Sequence, residues 1–133
     1  MKRTLRKTEI LRGYRAFTAV ISQGQMFAAR PVRLYSLPDP AGAPGITVGF
    51  AVARGIRGAV QRNRIKRILR EAYRLQKEPL LRASAAVTGS VQCVLMFIGP
   101  APRHPGFVRL QDVQEPVAQV ILRLAESVGG ARS

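Results

Sequence analysis

Hydrolytic or transfer chemistry by a polypeptide needs a nucleophile beside a base, a pair of carboxylates, or a metal cage. The seven acids here are Glu9, Asp39, Glu71, Glu78, Asp112, Glu115 and Glu126, and they are scattered along the chain. None shares a motif with the single histidine, His104, which stands in the Pro/Gly stretch GPAPRHPG at residues 99–106. A solvated bystander is the expectation there. Cys93 lies inside the apolar run VQCVLMFI, residues 91–98, a setting for a packing residue rather than a reactive thiol. One cysteine and one histidine can form neither an internal disulfide nor a zinc site. The GIRG segment, residues 55–58, lacks the lysine and spacing of a phosphate-binding loop. The residues alone give no catalytic and no metal-ligating set.

Binding chemistry is concentrated instead in residues 54–74, RGIRGAVQRNRIKRILREAYR, which hold eight of the 22 basic residues and one acid, Glu71. Ile65, Ile68, Leu69, Ala72 and Tyr73 fall at i, i+3, i+4, i+7 and i+8 and so occupy one arc of a helix. Arg62, Asn63, Lys66, Arg67, Arg70 and Arg74 line the arc beside it, with Arg64 on the far flank next to Glu71. A solvated surface accounts well for mixed charge. It accounts poorly for seven bases against one acid between Arg57 and Arg74. Guanidinium and ammonium groups in such a row suit phosphate. A second candidate surface is aromatic, since Phe17, Tyr35 and Phe50 can stack on unpaired bases. Composition favours core roles for Phe17 and Phe50, whereas Tyr35 alternates with Val32 and Leu34 and reads as more open.

The whole chain agrees with a polyanion partner. It has 133 residues, 47% apolar content, a net charge of +15 and a pI near 11.7. That is one folded domain rather than a basic tail, with 1–7 and 129–133 expected to be mobile ends. Nucleic acid leads as partner and an anionic membrane surface follows. No run of 18 apolar residues exists to span a bilayer. The basic N-terminus lacks a signal-peptide pattern, which with one cysteine makes the cytoplasm the expected compartment.

The elements that position these groups follow from periodicity. The pattern predicts a first helix from Thr8, with Ile10, Leu11, Tyr14, Phe17, Val20 and Ile21 on one face and Gly24 as terminator. A strand is expected over Met26–Leu37, with Pro31 at an edge or bulge, and a second over Ile46–Ala53 after the turn DPAGAPG. Pairing these two as a hairpin is the simplest arrangement. The basic helix runs from about Ala59 to Lys77 and stops before Pro79. Residues 80–90 read as a connector, and Val91–Ile98 as a strand buried on both faces. A last helix starts near Pro116, buries Val117, Val120, Ile121, Leu124 and Val128, and ends at Gly129. The order α-β-β-α-β-α makes an α/β (α+β) two-layer sandwich.

The stretch GAVQRNRIKRILREAYR, residues 58–74, strongly resembles the protein subunit of bacterial ribonuclease P. The likeness extends to LRGYRAFTAVISQG at 11–24, VRLYSL at 32–37 and VGFAVAR at 48–54. The resemblance implies an RNA-binding subunit with no catalytic residue of its own, working with a large catalytic RNA. That RNA uses Mg2+, bound mainly by the RNA, to cut the 5′ leader from precursor tRNA. The protein helps hold the leader and favours productive metal binding; no membrane or protein partner is implied. Carried onto this chain, the catalytic-RNA face is Arg62, Asn63, Arg64, Lys66, Arg67 and Arg70, flanked by Arg57 and Arg74. The leader cleft is Phe17, Val20, Ile21, Tyr35, Phe50, Val52 and Arg54. The family fold implies a small mixed sheet with a left-handed β-α-β crossover, against the usual right-handed rule. Departures fall at Ile21, where an aromatic is common, at Ala51-Val52-Ala53-Arg54-Gly55 in place of a Ser-x-Ser-Lys-Lys type segment, and at Ile98. The alternative from charge alone is a structural RNA-binding module of ribosomal-protein type.

Overall fold

The computed structural model describes residues 10–11, 13–42, 45–53, 58–85, 89–99 and 108–130. They form four helices and four strands in the order α1 (Tyr14–Gln23), β1 (Gln25–Ala29), β2 (Val32–Asp39), β3 (Gly45–Val52), α2 (Ala59–Gln76), α3 (Glu78–Ser84), β4 (Ser90–Phe97) and α4 (Leu110–Gly130). The strands make one mixed sheet in the order β1-β2-β4-β3. β1 and β4 run antiparallel to β2, and β3 runs parallel to β4.

β4 sits at the centre because its side chains are apolar on both faces. Val91, Cys93, Leu95 and Phe97 enter one core, and Val94 enters the other. Putting β4 between β2 and β3 overturns the expected hairpin of residues 26–37 with 46–53. A strand that can be covered on both sides displaces a neighbour that can be covered on only one. Parallel β3 and β4 are joined through α2 and α3, the crossover such a pair requires.

Several boundaries also differ from the sequence reading. The single strand expected over 26–37 is two strands, folded back at Arg30 and Pro31 so that Ala29 faces Val32. Proline has no N–H to give to a ladder, so the chain turns where pairing would fail. Ile10 and Leu11 do not belong to the first helix. Ile10 bridges Val48, and the Leu11 N–H donates to the Val48 carbonyl at 2.9 Å, along the outer edge of β3. Gly13 at φ 96 separates them from α1. The expected cap Thr8 lies outside the described residues. Pro79, expected only to end a helix, also opens the short α3, whose Leu80 is fully buried. α4 begins six residues before Pro116, at Leu110. The Asp112 carboxylate accepts from the Arg109 N–H at 2.8 Å, which closes this early start, and buried Val108 and Val113 hold it down.

Two layers of helix cover the sheet unequally. α2 and α4 bury Ile65, Leu69, Ala72, Tyr73, Val117, Val120, Ile121 and Leu124 against Val32, Leu34, Val48, Phe50, Val52 and their neighbours. Among the described residues the other face is covered by α1, through Val20 with Leu11, Tyr35 and Val94. No helix among the described residues is long and apolar enough to cross a membrane.

Candidate nucleic-acid interface

With Ile65, Leu69, Ala72 and Tyr73 buried, α2 must turn its opposite side to solvent. Asn63, Arg67 and Arg70 are exposed there at i, i+4 and i+7, with Lys66 half-buried alongside. This is a cationic stripe about two turns long on a rigid, packed helix. The remaining basic residues of α2 have other engagements. Arg62 donates to the Val52 carbonyl at 2.7 Å and to the Ala53 carbonyl at 2.9 Å. Arg74 donates through Nε to Glu71 at 3.0 Å. This bond holds the Glu71 carboxyl below its ordinary value and raises the guanidinium. Arg64 is half-buried on the far flank. Arg54 and Arg57 lie outside the described residues.

Arg70 is oriented by the sheet. Its Cζ stands 5.7 Å from the centre of the Phe50 ring, a cation–π distance. Phe50 in turn meets Tyr73 edge-on, with centroids 6.0 Å apart and planes at 70°. Phe50 and Val52 therefore belong to the α2–α4 core. The register aligns Phe50 with Leu95 and Val52 with Phe97 but Tyr35 with Val94. Alternation along β4 turns these to opposite faces, so Phe50 and Val52 do not share a surface with Tyr35.

The face under α1 holds the other assigned residues at different depths. Val20 is fully buried and Tyr35 is 9% exposed. Tyr35 is not the open ring that its alternation suggested, because α1 lies over it. Its hydroxyl accepts from Arg33 Nη1 at 3.4 Å. Phe17 and Ile21 are half-buried against this layer. The Phe17 ring rests directly on Gly49, where a Cβ would overlap it. Arg33, Met96 and Ala51 stand beside one another in the sheet register and remain half-exposed next to Tyr35. Arg33 was legible from period-two spacing with Tyr35. Met96 and Ala51 were not, since only the register brings them there.

Cys93 is fully enclosed, and burial pushes its thiol up to about 12 while the hydrogen bond with Ser36 works the other way. Among the described residues no group of three or more His, Cys, Asp or Glu could hold a metal ion. His104 lies outside them.

The ribonuclease P family model matches residues 5–97, which span α1 through β4. The chain belongs to the ribonuclease P protein family. It is 39% identical over 115 residues to the ribonuclease P protein component of Pelotomaculum thermopropionicum, covering 86% of this chain and 91% of that one. To the component from Chlorobaculum tepidum it is 42% identical over 106 residues, 73% of this chain and 69% of the relative. The fold matches the Staphylococcus aureus RNase P protein with a TM-score of 0.64 at 19% identity, covering 90% and 97% of the two chains. The RNase P protein from Thermotoga maritima matches with 0.61 at 19% identity, over 86% and 96%. α2 with its exposed stripe lies within the residues that match the family model.

Proposed function

We propose that this chain is the protein subunit of ribonuclease P and binds the enzyme's catalytic RNA through the Asn63, Lys66, Arg67 and Arg70 stripe of α2. The observation that carries the reading is this row of cations, held outward on a packed helix in a ribonuclease P family chain. Phosphate contacts from such a row release counterions and position the partner without reading its sequence. Among the described residues the acids form no group that could hold a metal ion, and in this reading the metal and the bond-breaking step belong to the RNA. The surface of Phe17, Ile21, Arg33, Met96 and Ala51 receives the single-stranded 5′ leader of precursor tRNA. Phe17 offers a ring for stacking and Arg33 a cation for the backbone. Such contacts favour precursor over mature tRNA.

Reconstitution tests this reading. Full-length protein with a bacterial ribonuclease P RNA is expected to cleave precursor tRNA at magnesium concentrations where the RNA alone is slow. Protein alone is expected to leave it intact. RNA binding without stimulation would make the chain a structural RNA-binding module, and cleavage by protein alone would overturn the assignment of chemistry to the RNA.

A further inference from the structure

Arg62 opens the RNR motif of α2, and spacing groups it with the cations of the RNA-facing side. Its surroundings separate it from them. The guanidinium is half-buried, with Nη2 on the Val52 carbonyl at 2.7 Å and Nη1 on the Ala53 carbonyl at 2.9 Å. Both acceptors stand where β3 ends. The Ala53 N–H makes the next sheet bond there, to the Phe97 carbonyl at 2.9 Å. On the helix side the Arg62 N–H donates to the Gly58 carbonyl at 3.0 Å and closes the first turn. One side chain therefore ties the first turn of α2 to the last bonds of the β3–β4 pair. A planar fork is suited to gripping two acceptors at once, whereas a lysine offers a single point charge on a flexible stem. Asn63, Lys66 and Arg67 follow within the next turn and a half. Their direction depends on how this turn is seated.

We propose that Arg62 is a positioning residue: it braces α2 against the end of β3 and so aims the Asn63, Lys66 and Arg67 stripe, without neutralising a phosphate itself. This rests on the reading that the stripe binds ribonuclease P RNA. A phosphate ligand and a brace differ in one measurable respect. Losing a phosphate contact reduces the salt dependence of binding by about one ion, whereas losing a brace weakens binding with the slope unchanged.

The test measures binding of the full chain to ribonuclease P RNA across salt concentrations for Arg62→Ala, Arg62→Lys and Arg67→Ala. Arg67→Ala is expected to lower the slope by about one ion. Arg62→Ala is expected to weaken binding by about tenfold at every salt concentration, the scale of losing a charge-assisted hydrogen bond. Its slope stays at the wild-type value, and Arg62→Lys, which keeps the charge, does not restore affinity. Amide hydrogen exchange on the RNA-free protein supplies a second reading. The Ala53 N–H exchanges faster in both Arg62 variants and at the wild-type rate in Arg67→Ala. A slope lowered by about one in Arg62→Ala and restored by lysine, or unchanged Ala53 exchange, overturns the brace. An unchanged slope in Arg67→Ala overturns the RNA-facing stripe instead, while Ala53 exchange still decides the brace. Should Arg62→Ala fail to fold, Arg62→Lys decides through affinity and Ala53 exchange, and wild-type affinity or unchanged exchange in it overturns the brace.

Discussion

Phe50 shows how one side chain links core to surface. Its ring packs edge-on against Tyr73 and lies under the Arg70 guanidinium, so a core contact orients an exposed cation. Phe50→Leu keeps an apolar side chain but removes both ring interactions, and about 1–2 kcal/mol of stability should be lost in denaturant melts. Preference for precursor over mature tRNA should be unchanged, because the ring faces away from the surface under α1. A lost preference would return Phe50 to the leader site. The contrast with Tyr35 marks how far residue patterns reach. Alternation offered Tyr35 as the open ring, yet it could not say that α1 covers it, nor that the register sets it on the opposite face from Phe50.

At the scale of elements, α1 and β3 meet through the contact between Phe17 and Gly49. The missing Cβ at residue 49 lets the ring settle onto the sheet. Gly49→Ala should push the ring outward, since the far end of a side chain yields before the backbone does. The expected cost is about 1–3 kcal/mol in thermal or denaturant unfolding. The preference for precursor over mature tRNA should fall, and Phe17→Ala should lower it as well. Equal weakening of both tRNAs would show that Phe17 is only core. The helices α2 and α4 were legible in outline because their buried positions repeat with the helical period. Ile65, Leu69, Ala72 and Tyr73 in α2, and Val117, Val120, Ile121 and Leu124 in α4, are buried as spacing requires. α3 was missed because seven residues are too few to show a period. The early start of α4 was missed because Pro116 resembles a helix opening, whereas the bond between Asp112 and Arg109 lies upstream of it.

For the molecule as a whole, a net charge of +15 on 133 residues sets the terms of stability. Like charges crowd the folded state more than the extended one, so screening should stabilise the RNA-free protein. The melting temperature by circular dichroism should therefore rise from about 50 mM to about 500 mM salt, over which the screening length shortens severalfold. A falling melting temperature would mean that attractive pairs dominate. The chain by itself determined the charge, the face that each long helix buries, the doubly apolar character of β4 and the likeness to the ribonuclease P family. Each of these depends on residues close together in sequence. The tertiary structure alone decided that β4 separates β2 from β3, that Phe50 and Tyr35 serve different cores, and that Arg62 grips backbone. Those are contacts between distant segments, fixed by strand order and register, which no local period encodes.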